Sequence, residues 1–266
     1  MSLSVGIVGL PNSGKSTLFN ALLKRQIAQV ANYPFTTIEP NVGVVEVPDD
    51  RLLKLAEVVN PQEIVPAVVQ FIDIAGLVKD AHKGEGLGNQ FLGKIRECEA
   101  IVHIVRGFED ETVPHYYGNL DPQRDKEIVD LELELGGIKK PTLYVLNKKE
   151  VGTQQGYLVI NAKTEEGVDQ LIKEAYRLLD LITFYTVKGG KELTAHSLRK
   201  GATALSAAEM VHTDMAKGFI KAEVVSWQEL VESESWQKAA EAGKIRLEGK
   251  GYQVQDGDVI EFKFSS

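Results

Sequence analysis

The sequence predicts an α/β chain in two parts. A mostly parallel sheet layered with helices is expected over residues 1–181, and a small α+β module over 182–266. Three observations predict this. Apolar, β-prone runs alternate with helical patterns through the first 180 residues, which is the signature of a parallel sheet. A glycine-rich loop follows the first apolar run and precedes the first helical one. After Leu181 the alternation stops, and a β-rich run, a Gly189-Gly190 turn and short mixed elements follow.

Ser4 to Leu10 reads as the first strand and Ser16 to Leu23 as the opening of the first helix. Val42–Val47 and Val68–Ile74 are further β-rich runs. Ala100–Arg106 and Thr142–Leu146 look like buried strands, and Leu158–Ile160 is a shorter one. Gly167–Leu179 carries Val168, Leu171, Ile172, Ala175, Leu178 and Leu179 at helical spacing. In the second part Ile182–Val187 and Phe219–Val225 are expected strands, Ala202–Val211 a short helix and Trp227–Ala242 one polar helix. Gly251–Phe264 reads as strand–turn–strand around Asp256-Gly257-Asp258.

The 266 residues are 43% hydrophobic and 26% charged, the balance of a globular chain rather than a disordered one. No apolar run is long enough to span a bilayer, no basic leader opens the chain, and the single Cys98 can form no internal disulfide. A reducing cytoplasm is the expected compartment, with no membrane partner, and Cys98 is expected to be a small buried residue. The net charge of −8 argues against broad nucleic-acid binding and against DNA specificity. Two local basic groups, Lys188, Lys191, Arg199 and Lys200, then Lys244, Arg246 and Lys250, read as solvated faces.

The most specific chemistry lies in Gly9-Leu10-Pro11-Asn12-Ser13-Gly14-Lys15-Ser16, which fits G-x-x-x-x-G-K-[ST] between a strand and a helix. Backbone amides from Asn12 to Thr17 can wrap a phosphate at a helix N-terminus. Lys15 is placed for the β- and γ-phosphates and the Ser16 hydroxyl for Mg²⁺. Thr36 and Thr37, between Pro34 and Pro40, can give Mg²⁺ a second hydroxyl from an irregular loop. Asp73 closes an apolar strand near the expected ion, and Gly76 can offer its N–H to the γ-phosphate.

Leu77 stands where many GTPases place a water-orienting glutamine, so slow intrinsic turnover is expected. His82 and His115 are the candidates to position the attacking water, although both also read as exposed loop residues. For the base, Asn147-Lys148-Lys149-Glu150 replaces Asn-Lys-x-Asp. Glu150 moves the carboxylate by about 1.3 Å, which weakens guanine selectivity. Asn161-Ala162-Lys163 occupies the place of a Ser-Ala-Lys contact to the base. On these residues alone the choice between ATP and GTP stays open. The alternative to hydrolysis is a nucleotide-binding scaffold with negligible catalysis.

GLPNSGKST, NYPFTTIEPN, DIAGLVKDAHKGEGLGNQFL and the C-terminal HTDMAKGFIKAEV…GKGYQVQDGDVIEFKF resemble the YchF family of Obg-like ATPases over nearly the whole chain. The resemblance implies a P-loop G domain and a C-terminal TGS domain, ATP favoured over GTP, and association with the ribosome or its RNA. It also implies a hydrophobic residue for the catalytic glutamine, matched by Leu77, and a catalytic histidine after Phe108-Glu109-Asp110, matched by His115. The family's long helical insert is expected to open near 128–135. In this sequence Leu131–Leu135 meets Gly136-Gly137 at once.

Overall fold

A computed structural model describes residues 4–25, 41–74 and 87–265, with 87–90 as backbone only. Chain contacts divide it into two units, 1–47 with 68–179, and 48–67 with 180–266.

The first unit is an α/β sheet. The chain opens with β1 (Ser4–Val8), all five residues buried, then α1 (Lys15–Leu23) and β2 (Val42–Glu46). Next come α2 (Asp50–Val59) and β3 (Glu63–Val65), which belong to the second unit. The first unit resumes with β4 (Val68–Asp73), α3 (Leu87–Glu97), β5 (Ala100–Arg106), α4 (Pro122–Leu135), β6 (Thr142–Asn147), β7 (Leu158–Ile160) and α5 (Val168–Leu178). The strand order is β2-β4-β1-β5-β6-β7. Only β2 runs antiparallel to its neighbour. Register sets Ile7 beside Asp73, Val8 beside His103 and Arg106 beside Asn147, so chemistry-bearing residues gather at the carboxyl ends of the strands. That edge is where open α/β sheets bind ligands. Beneath it Val8, Ile74, Leu92, Ile95, Ile101, Val129 and Leu133 form a buried core with Cys98. Burial pushes the Cys98 thiol up to about 11, so it is an unreactive core residue.

Local chemistry explains the helix ends. Asp121 caps α4 by accepting from the Arg124 N–H, with Pro122 in the first turn, where its missing N–H costs nothing. The helix stops at Gly136, and Gly137 takes a left-handed turn (φ 71°). Six residues, 136–141, then lead directly into β6, with no helical arm between them.

The second unit contains β8 (Leu181–Lys188), β9 (Glu192–Arg199), α6 (Ala204–Val211), α7 (Thr213–Lys217), β10 (Phe219–Ser226), α8 (Trp227–Ser233), α9 (Trp236–Glu241), β11 (Arg246–Glu248) and β12 (Asp258–Phe264). Its order is β11-β10-β12-β8-β9-β3. The β8–β9 hairpin pairs antiparallel, and β8 meets β12 in parallel, a β-grasp arrangement. Phe184, Phe219, Phe262 and Ile260 pack there with Ala204, Ala207 and Ala208 of α6.

Three details depart from the sequence reading. Residues 48–67, earlier in sequence than the rest of this unit, pack within it: β3 adds to β9 in parallel. Arg51 bridges Asp49 and Asp256 at 2.8 and 2.7 Å, and the Tyr185 hydroxyl donates to Asp49. The expected helix over 227–242 is two helices. Glu234 turns left-handed (φ 59°), and Ser235 caps a new start by accepting from the Lys238 N–H. The expected strand–turn–strand at the end holds one strand, β12. Residues before it form turns, with only an isolated bridge from Gln253 to Thr203.

Candidate phosphate and base site

The loop between β1 and α1 is shaped by close approach. A Cβ on Gly9 would lie 2.4 Å from the Ile104 carbonyl, and one on Gly14 (φ 100°) would lie 2.3 Å from Asn147 Nδ2. Asn12 also adopts a left-handed conformation (φ 63°). Lys15 folds back so that Nζ donates to the Gly9 and Leu10 carbonyls at 3.0 and 2.8 Å. Its side chain is buried, and burial pushes the ammonium down to about 8 against the opposing charge of Asp73. Asp73 is shifted upward by burial, which Lys15 and Lys94 partly offset.

Two polar atoms here have no partner. Ser13 Oγ and Asp73 Oδ1 are buried without a hydrogen bond. An unsatisfied buried polar atom is expensive, so these two atoms are candidates for a ligand's hydrogen bonds. Ser16 and Thr17 are exposed at the start of α1, with Asp73 at the end of β4. A hydroxyl and an unpartnered carboxylate oxygen are the donor set that a Mg²⁺ ion shared with phosphates takes, so these residues fit the ion.

The base side is built differently. Asn147 is buried. Its Nδ2 donates to the Ser13 carbonyl at 3.2 Å, and its Oδ1 accepts from the Ala162 N–H at 3.1 Å. Asn147 therefore ties the phosphate loop to the 161–163 loop. Asn161 accepts from the Lys163 and Thr164 N–H groups, while its Nδ2 donates to the Lys149 carbonyl at 2.8 Å. Its side chain thus orders both base-side loops. Glu150 is exposed beyond that strap.

His115 is not the exposed loop residue of the sequence reading. Its side chain is 7% exposed. Nδ1 accepts from the Tyr117 N–H at 3.1 Å, so Nε2 carries the proton and donates to Asp125 at 2.7 Å. Asp125 is held in turn by Arg124 at 3.0 Å. Both ring nitrogens of His115 are engaged. Thr37, Gly76, Leu77 and His82 lie outside the described residues.

Two residues missed in the sequence belong to this site. Asp125 fixes His115 from the first turn of α4, and nothing local marks it. Arg106 closes β5, whose other residues are apolar except His103, and is buried. It donates to the carbonyls of Phe108 (3.0 Å), Val113 (2.8 Å), Asn12 (3.3 Å) and Pro114 (3.5 Å). A charge ending a buried strand was the available signal.

A strand, a glycine-rich loop with an inward lysine, a helix start and a neighbouring strand-end aspartate define a P-loop nucleotide-binding protein. Residues 4–148 match the model of the 50S ribosome-binding GTPase family. Residues 181–265 match the C-terminal model of YchF GTPases, described as a protein of unknown function (DUF933). The chain is 38% identical to the protein named ribosome-binding ATPase YchF of Bacillus subtilis, all of both chains being covered. The same identity and coverage hold for the protein of that name from Haemophilus influenzae. The structure of the Schizosaccharomyces pombe YchF GTPase superposes with a TM-score of 0.81 at 27% identity, covering 98% of each chain. The chain belongs to the YchF family. Its alignment with the Bacillus subtilis relative runs over 367 positions against 266 residues here, so about 100 positions face gaps in this chain.

Proposed function

We propose that this chain binds a nucleoside triphosphate with Mg²⁺ on the 9–14 loop, hydrolyses it slowly at the γ-phosphate, and acts as a switch at the ribosome. One observation carries the reading: Lys15 rests on the loop's own carbonyls while Ser13 Oγ and Asp73 Oδ1 stay buried without partners. A phosphate gives the ammonium a stronger acceptor than two carbonyls. Ser16 and Asp73 would hold Mg²⁺, with Thr37 as a third ligand; the ion, when bound, draws charge from the phosphate oxygens. The loop amides from Asn12 to Thr17 and Lys15 neutralise charge that develops on the transferred group. The Gly76 N–H serves the γ-phosphate.

Glu150, with Asn147 and the Asn161-Ala162 loop, forms the base side, and its longer carboxylate favours ATP over GTP. The relatives' names support the ribosomal partner. They differ on the nucleotide, ATPase for the bacterial proteins and GTPase for the yeast one. The second unit serves as a TGS domain, a partner-contacting module. Side-by-side titration of ATP and GTP with Mg²⁺ tests the substrate: tenfold tighter ATP, about 1.4 kcal/mol, supports it, and tighter GTP overturns it. Co-sedimentation with ribosomes tests the partner.

A second reading, a nucleotide-dependent scaffold without useful catalysis, is favoured by His115, whose two ring nitrogens are both engaged. Single-turnover hydrolysis with and without ribosomes separates the two. Acceleration by ribosomes supports the enzyme, and none in either condition supports the scaffold.

A further inference from the structure

Arg106 is a buried guanidinium whose acceptors are backbone carbonyls on two segments far apart in sequence. One is the phosphate loop, through the carbonyl of Asn12. The other is the 108–114 segment, through Phe108, Val113 and Pro114. The Asn12 side chain closes the same link from the other side, its Nδ2 donating to the Pro114 carbonyl at 3.0 Å. Phe108 lies under the guanidinium, 4.5 Å from ring centre to Cζ. A planar fork with five donors can serve several carbonyls at once; an ammonium cannot keep that geometry.

The consequence lies in the peptide that joins Asn12 to Ser13. It is trans, so its carbonyl and N–H point opposite ways. Arg106 holds the carbonyl, which turns the Ser13 N–H the other way, across the loop. That N–H reaches the Leu10 carbonyl at 3.3 Å, the same oxygen that Lys15 Nζ takes at 2.8 Å. The Ser13 N–H and the Lys15 ammonium therefore share one acceptor, the Leu10 carbonyl, and point to the same side of the loop.

We propose that Arg106 is the positioning residue of the phosphate loop: by gripping the Asn12 carbonyl it aims the Ser13 N–H at the bound phosphate, and by gripping Val113 and Pro114 it keeps the His115 segment in register with that loop. Arg106 touches no phosphate itself. The inference rests on the nucleotide reading above.

The test uses the full chain, with ADP and Mg²⁺ as the probe. Wild type, Arg106→Lys and Arg106→Met are compared by calorimetry and by the amide NMR signal of Ser13. In the wild type, ADP moves the Ser13 amide downfield, as a new charge-assisted hydrogen bond requires. In Arg106→Lys, which keeps the charge but not the fork, affinity falls about tenfold and the Ser13 signal no longer moves, while the Asn147 amide still responds. Arg106→Met falls further. If Arg106→Met does not fold, Arg106→Lys alone decides. A Ser13 response and an ADP affinity equal to the wild type in Arg106→Lys overturn the inference. So does a loss of affinity with the Ser13 response intact, which is the mark of a merely structural arginine. Failure of the wild type to bind ADP or ATP overturns the nucleotide reading instead.

Discussion

The two units treat buried polar groups in opposite ways. Among the described residues, four buried side-chain atoms lack a partner: Ser13 Oγ, Asp73 Oδ1, Tyr117 Oη and Tyr157 Oη. All four are in the first unit, two of them at the phosphate loop. In the second unit the buried networks close on themselves. Asp49 meets Arg51 and Tyr185, and Asp258 accepts from Tyr252, Arg246 and the Gln255 N–H. Among the described residues, the first unit leaves such atoms unpaired and the second pairs its own within the chain. Ligand should therefore change the stability of the first unit far more than that of the second.

The largest expected effect breaks the open side. Lys15→Met should weaken ATP and ADP at least a hundredfold, about 2.7 kcal/mol, because the charge that answers the phosphates is gone; calorimetric titration reads it. The unliganded variant should be no less stable, since a buried ammonium leaves with the substitution.

The converse test strikes the closed side. Arg51→Met should destabilise the second unit by about 2 kcal/mol, since it strands the Asp49 carboxylate, whose side chain is only 9% exposed. Nucleotide affinity should stay within twofold of the wild type. Burial alone would raise the Asp49 pKa, but the hydrogen bonds from Arg51 and Tyr185 outweigh it and hold the carboxyl below its ordinary range. The stability this contributes is present above the unfolded value and is lost as acid takes the pH down through the lowered one. An acid melt should show that loss in the wild type and not in Asp49→Asn.

A smaller effect tests the link between the two halves of the site. Asn147→Ala removes partners from the Ser13 carbonyl and the Ala162 N–H together. It should cost about 1–2 kcal/mol of stability and about tenfold in nucleotide affinity, read by denaturation and titration. Equal affinity would show that the base loops and the phosphate loop work independently.

The smallest effect is a slope. Burial against Phe184 lowers His196 to about 4. Its folded value lies below the unfolded one, so its contribution is complete above about pH 6.5 and fades as pH falls towards 4. Unfolding free energies from urea titrations at pH 7 and pH 6 should differ by about 0.7 kcal/mol more in the wild type than in His196→Phe.

What could be read from sequence was what is local. The 9–16 loop signals itself because its glycines, lysine and serine act within one turn of chain. The runs of β1 and β5 announce a parallel sheet because both their faces are buried. β9 escaped notice: in ELTAHSLR the buried Leu193 and Ala195 alternate with polar residues, but the buried Leu198 falls on the opposite face and breaks the period. The remaining misses depend on distance. Asn12 and Pro114 meet across 102 residues, and Tyr185 reaches Asp49 across 136. No periodicity carries such pairings. The roles of Arg106, Asp125 and the Asn161 side chain emerge only when the loops are assembled.

The excursion of residues 48–67 has a consequence for how the chain is made and cut. α2 buries Leu52 and Leu55, and β3 buries Val65, in a unit whose other residues begin at 180. During synthesis those side chains emerge long before their cover does and must wait in water or in the keeping of another protein. A fragment ending near 181 would carry the same exposed stretch as a permanent defect. Protease sensitivity within 48–67 is then the property to watch in any truncated form: a nick there would report a missing C-terminal half rather than a flaw in the nucleotide-binding sheet itself.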